Sequence, residues 1–287
     1  DNDAEIQMNV LECLVLWNDY LLPHRHRLEN LIKPKELREV LATWNFSKDI
    51  EEAHRCHFVS LVIRILMPKV RNLKKSASRK HTSVRHREAV LGVISQLDVN
   101  ELALFFALLI KPLNIISEET TDLFWSSGKS SLDHFQKSNF LKYINVDALS
   151  NLSWKMKSGF LHVIQHILEV FDEFHVRPFL DFFMGCVVRL LVNYAPNIDQ
   201  DMSIDKETVS TNNDQAGTSL KQFKELRSLC LKIISRVLEK YEDCDLGSEF
   251  WDLFFPAVNP LIKSFKQEGS SSEKPSSLFS CFLSMSK

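Results

Sequence analysis

Between Lys69 and Arg87 the sequence holds eight Lys/Arg residues and no acid. The chemistry open to such a run is electrostatic. Lysine and arginine neutralise phosphates and release their counterions, the dominant source of non-specific nucleic-acid affinity. No aromatic residue lies between Lys69 and Arg87, so stacking on unpaired bases is not encoded there and contact with RNA backbone and shape is the mode expected. Arg71, Lys74, Lys75, Arg79, Lys80, Arg85 and Arg87 are the candidate RNA-binding residues. A solvated loop or a nuclear import signal fits the same run, with Lys74-Lys75 and Arg79-Lys80 as basic pairs.

Other reactive residue types carry less. His54, Cys56 and His57 share helical spacing, but zinc needs further ligands, and no regular metal spacing links them to His24, His26, His81 or His86. Surface histidines are the reading taken, with no metal and no cofactor. Asp172, Glu173 and Asp181 form an acidic group that reads as solvated helix ends. The sequence has no Gly-x-Ser-x-Gly elbow, no Walker-type loop and no dinucleotide fingerprint. It has only 7 glycines, where average usage of about 7% would give roughly 20. Phosphate-cradling loops and tight β-turns need glycine, so a nucleotide-binding α/β enzyme or a β-rich fold is disfavoured. The chain reads as a non-enzyme without a small-molecule substrate.

The elements that would position the basic run are helices. A hydrophobic fraction of 45% can bury a sizeable core, and its spacing is helical almost throughout. Ile6, Val10, Leu14 and Trp17 make one stripe of a helix expected to stop before Pro23. A short helix follows over His26 to Ile32, and Pro34 suits the first turn of the next. Ser47 is a candidate cap for a long helix through Leu66, with Pro68 expected to kink or end it. The basic run 69–87 is then an exposed loop, with helix resuming near Val84. Asp98 with Glu101 resembles a capping box for a helix through Ile110.

Further along, 114–146 is an irregular connector. The segment 147–196 reads as one helical repeat, in which Pro178 opens the second helix. Asn197 to Thr218 holds five acids and one base and is expected to be disordered. Residues 219–267 form another helical repeat, and 268–287 a mobile tail leading into a truncated helix. Phe179, Phe182, Phe183, Phe254 and Phe255 are expected in the core. Antiparallel helix pairs every 40 to 50 residues or so describe an all-α, HEAT/armadillo-like solenoid over 1–113, 147–196 and 219–267.

Charge and cysteine usage agree with this. The net charge is −2, yet outside the basic run 27 basic residues face 37 acidic ones, so one cationic segment sits on an acidic body. The six cysteines show no CxxC spacing, which suits a reducing compartment. No uninterrupted apolar stretch is long enough for a membrane span. The chain begins at Asp1 and ends shortly after a helix-like opening at Ser277, as an excerpt of a longer protein would.

Leu11-Glu12-Cys13-Leu14 with Trp17, Tyr20-Leu21, Pro23 and Leu28-Glu29-Asn30-Leu31 resembles a block of the DRIM (down-regulated in metastasis) family. The block continues through Ala53-His54-Arg55, Ile63-Arg64-Ile65-Leu66, Arg87-Glu88-Ala89-Val90-Leu91 and Glu101-Leu102-Ala103-Leu104-Phe105 to Lys111-Pro112-Leu113. Lys224 to Leu231 is similar to the following repeat, and Phe250 to Phe255 resembles the plant branch. The resemblance implies a large nucleolar scaffold of the small-subunit processome, acting in early pre-rRNA processing. Its implied partners are pre-rRNA, small nucleolar ribonucleoprotein components and other assembly proteins. The family supplies no catalytic residues.

Overall fold

The computed structural model describes residues 3–71, 80–116, 144–194, 213–241, 245–263 and 276–286. The described residues are overwhelmingly helical: α1 Ala4–Trp17, α2 Arg25–Ile32, α3 Leu37–Thr43, α4 Phe46–Asp49, α5 Glu52–Arg71, α6 Lys80–Ile94 and α7 Val99–Ile110, then α8 Val146–Asn151, α9 Trp154–Val170, α10 Glu173–Asn193, α11 Asn213–Lys240, α12 Gly247–Lys263 and α13 Ser277–Met285. Short 3-10 turns, Asp19–His24 and Lys111–Leu113, follow α1 and α7. The chain divides into two compact units, Asp1–Pro112 with Ile116–Lys137 and Glu169–Val176, and Leu113–Ile115 with Ser138–Leu168 and Arg177–Lys287.

In the first unit α5 is the central element, packed by α2, α6 and α7. Its inner face, Phe58, Val62, Ile63, Ile65, Leu66 and Val70, is buried, each large side chain worth about 1.5–3 kcal/mol. That burial explains why Pro68 does not end the helix. Proline costs about 3 kcal/mol in a helix interior, and Met67 just before it and Val70 just after it both reach the core. The long helix starts later than the Ser47 cap implies, because α4 ends at Asp49 and the chain breaks at Ile50 and Glu51 before Glu52. At the other end of the loop α6 starts at Lys80 rather than near Val84. Lys69–Arg71 and Lys80–Arg87 are therefore helical, and of the expected loop only 72–79 lies outside the described residues.

The first helix buries a different face from the one expected. Leu11 and Val15 are inside, whereas Ile6 and Val10 are about half exposed and Trp17 is 86% exposed. It also ends before Pro23, at Trp17: Asn18 turns extended and its side chain donates to Leu14 O at 2.9 Å. The turn at Asp98 forms as the sequence predicts, with Glu101 Oε2 accepting from the Asp98 N–H at 3.0 Å. The same glutamate receives a two-pronged contact from the nearly buried Arg55, Nε to Oε1 at 2.8 Å and Nη2 to Oε2 at 3.0 Å. This joins the first turn of α5 to the first turn of α7, 46 residues on. The two helices thus run side by side in one direction.

The second unit repeats that relation with other chemistry. Ser228 Oγ lies 2.6 Å from Ser277 Oγ, and Ser235 Oγ 2.7 Å from Ser284 Oγ, each pair 49 residues apart. The equal step of seven residues along α11 and α13 makes them parallel. So 276–286 is a capped helix docked on α11, at the place where the sequence shows a helix-like opening, and 264–275 lies outside the described residues. Likewise α11 begins at Asn213, inside the segment expected to be disordered, and 195–212 lies outside the described residues. Pro178 sits within α10, which starts earlier, at Glu173. Phe179, Phe182, Phe183 and Phe254 are buried as predicted. Phe255 is 48% exposed and stacks on Trp251.

Few glycines leave these helices without the residue that most often closes a helix C-terminus. Cationic side chains from elsewhere in the fold do it instead. Lys69 Nζ donates to Ile32 O at 3.0 Å, Arg87 Nε to Val70 O at 2.9 Å, Lys157 Nζ to Ser150 O at 2.6 Å, and Lys240 Nζ to Leu168 O at 2.7 Å. Each places a positive charge on carbonyls at the negative end of a helix dipole.

Candidate nucleic-acid interface

The basic segment is built as two helix ends with a connection between them. The last turn of α5 carries Lys69 and Arg71, and the first turns of α6 carry Lys80, Arg85 and Arg87. Lys74, Lys75 and Arg79 lie outside the described residues, and only the backbone of Lys80 is described.

The structure sorts the remaining cations into different tasks. Arg85 is exposed. Arg87, which the sequence places in the interface, is instead only 3% exposed and is committed to the α5 carbonyl at Val70. Burial lowers its pKa from the ordinary arginine value, but a guanidinium remains charged there. Its role is to lock α6 to α5. Arg71 is half-buried, with its Nε enclosed and no hydrogen-bond partner for it among the described residues. Lys69 is half-buried against Ile32 O, and its pKa is lowered by desolvation.

Near this junction one residue escaped the sequence reading, Arg38, and another, His86, entered it only as a histidine without metal spacing. Arg38, at the start of α3, is exposed, and His86 on α6 is half-buried. The pKa of His86 is lowered first by burial and then by the positive charges of Arg38 and Lys69. The only signal in the sequence was their charge, because Arg38 stands 48 positions before His86. Packing of α3 and α5 on α6 brings them into one neighbourhood.

Several of the other reactive candidates make packing or capping contacts. His54 stacks on Tyr20, ring centroids 4.4 Å apart and nearly coplanar. His24 packs against Trp44 and Phe58. Among the described residues no group of three or more His, Cys, Asp or Glu could hold a metal ion. Asp172 accepts from the His175 N–H at 3.0 Å, and its Oδ1 lies 2.6 Å from the ring Nδ1. That is a helix N-terminal contact for α10. The Asp181 carboxyl titrates above its usual range, through desolvation first and Asp245 second, with Arg177 opposing. Cys186, Cys230 and Cys281 are buried, and burial pushes all three thiols up, Cys281 to about 12, which leaves them protonated. No described helix is long and apolar enough to cross a membrane.

A search of curated proteins returns no match. The family model described as U3 small nucleolar RNA-associated protein 20, N-terminal, matches residues 1–287. The chain therefore belongs to that family, a component of the small-subunit processome, which implies a role in ribosome biogenesis and a nucleolar setting.

Proposed function

We propose that this chain is a non-catalytic α-solenoid segment of a processome scaffold that holds pre-rRNA by its backbone and presents helix ends to assembly proteins and small nucleolar ribonucleoprotein components. The observation that carries the RNA contact is the acid-free run between Lys69 and Arg87, whose two described ends belong to α5 and α6. Arg85 is exposed on it, and Lys74, Lys75, Arg79 and Lys80 supply further charge for phosphates. The solenoid reading is supported by the parallel pairs α5/α7 and α11/α13, offset by 46 and 49 residues. Helices two apart run parallel in stacked helical pairs. The sequence blocks from Leu11 to Leu113 favour the DRIM type within the family. No catalytic role is assigned: three buried thiols are protonated, and the histidines at Tyr20, Trp44 and Asp172 are engaged in packing or capping.

Binding of the purified chain to structured rRNA fragments, followed across salt concentrations, tests the reading. Binding that weakens steeply with salt is the result expected, with a slope of about 0.7–0.9 per phosphate contact. Absence of binding even at low salt contradicts it. That result would leave a protein-docking scaffold, a reading favoured by the half-exposed Ile6 and Val10 and the exposed Trp17 on α1.

A further inference from the structure

The first helix, α1, carries two apolar stripes, and the fold uses one. It packs on α2 and on the 3-10 turn that follows it, and Leu11 and Val15 are its buried residues. At 3.6 residues per turn, Ile6, Val10, Cys13 and Trp17 fall together on the opposite side of the helix, spaced four, three and four residues apart. That alternation is the one by which a helix meets another along a seam. Ile6 and Val10 are about half exposed, Cys13 is exposed and Trp17 is 86% exposed. Leu16, next to Trp17, is exposed as well. A contiguous open stripe of this kind marks a place of interaction, whereas single exposed apolar residues do not.

We infer that the Ile6–Val10–Cys13–Trp17 stripe docks a basic amphipathic helix of a partner protein. The inference rests on the scaffold part of the reading above and is independent of its RNA part. Charge selects the occupant. Residues 1–24 hold five acids and no Lys or Arg. Exposed Asp3 stands on one side of the stripe, and exposed Glu5 and Glu12 stand on the other. Arg25 meets Glu12 Oε1 at 3.4 Å while committed to Glu29 at 2.8 Å. A second copy of this chain would bring the same acids against themselves, and like charges beside a helix seam select against pairing. RNA phosphates are repelled for the same reason. A helix with an apolar stripe and flanking lysines or arginines satisfies both the seam and its rim. Trp17 is its anchor, since tryptophan is enriched among the few residues that carry most of an interface's binding energy.

The test uses two labelled peptides of about three heptads, each with Ile and Leu at the seam positions, one flanked by Lys and the other by Glu. Each is titrated with the whole chain and followed by fluorescence anisotropy. The Lys-flanked peptide should bind, and the Glu-flanked one should bind at least about tenfold more weakly at low salt. Trp17→Ala should weaken the Lys-flanked peptide at least about tenfold, with an unchanged thermal melt because the side chain is exposed. The double variant Glu5→Lys with Glu12→Lys should reverse the preference between the peptides. Equal binding of the two peptides to the natural chain overturns the inference, and so does equal binding of the Lys-flanked peptide to Trp17→Ala and the natural chain. Self-association of the natural chain that Trp17→Ala abolishes also overturns it, because the stripe would then belong to a second copy. Salt titration with RNA on the same samples separates the two readings: RNA binding without peptide binding overturns the helix seat alone, and peptide binding without RNA binding overturns the RNA contact alone.

Discussion

Two junctions of this molecule are closed by the same device and differ in what is left over. At the α5–α6 junction Lys69 and Arg87 close helix carbonyls at Ile32 and Val70. In the second unit Lys157 and Lys240 do the same at Ser150 and Leu168. Lys157 also donates to Tyr194 Oη at 2.8 Å and lies over that ring, and Lys240 lies over Tyr241. There these two cations are committed to the fold, while Lys155 and Arg236 on the same helices stay exposed. At the α5–α6 junction the closing cations belong to a run of eight Lys/Arg with no acid, in which Arg85 stays exposed. The comparison teaches that positive charge in this glycine-poor chain has two uses, and that only the surplus over helix closure is available to a ligand.

The largest effect that sharpens the contrast is on stability. Replacing Lys157 by Met keeps the stem but removes a charged donor from Ser150 O and from Tyr194. Replacing Arg87 by Met strips Val70 O in the same way. Each should cost about 1.5–3 kcal/mol, the worth of a hydrogen bond to a charged group, read as a lower denaturation midpoint. Arg87→Met should leave the salt slope of RNA binding unchanged, because the side chain is buried. A reduced slope with intact stability would return Arg87 to the interface and break the comparison.

A smaller effect concerns pH. The pKa of His24 is lowered from 6.5, by burial first and Arg27 second, with Asp49 opposing. Its folded value lies below its unfolded value, so protons favour the unfolded chain. This contribution is absent above the unfolded value and grows as pH falls below it, where it reduces stability. His86 has the same sign. Melting temperature should fall from about pH 7 to about pH 5.5, across the histidine range. The fall should be shallower in His24→Phe, which keeps the ring packing on Trp44 and Phe58. Equal slopes for the two chains would contradict it.

Much of the helical framework was legible, because helical periodicity and caps are local. The helix at His26 to Ile32 and the Asp98–Glu101 turn follow from neighbouring residues. What was not legible depends on partners distant in sequence. In α1 both faces are apolar, with Ile6, Val10 and Trp17 on one and Leu11 and Val15 on the other, so the pattern does not say which face finds a neighbour. Pro68 reads as a stop until the burial of Met67 and Val70 is known. Arg87 reads as one more exposed cation in a basic run, since nothing local reveals that a carbonyl 17 residues earlier claims it. The proximity of Arg38 to His86 is invisible for the same reason. A processome-related family was legible through the order of helix-packing blocks. One of them holds Arg55, which clamps Glu101 in another.

The central claim, that surplus charge between α5 and α6 binds RNA backbone, is tested most directly by the salt dependence of RNA affinity when Lys74, Lys75, Arg79 and Lys80 are all changed to alanine. At about 0.7–0.9 per phosphate contact, the slope of log affinity against log salt should become shallower by about three, with the thermal melt preserved. A slope that matches the natural chain would contradict the account.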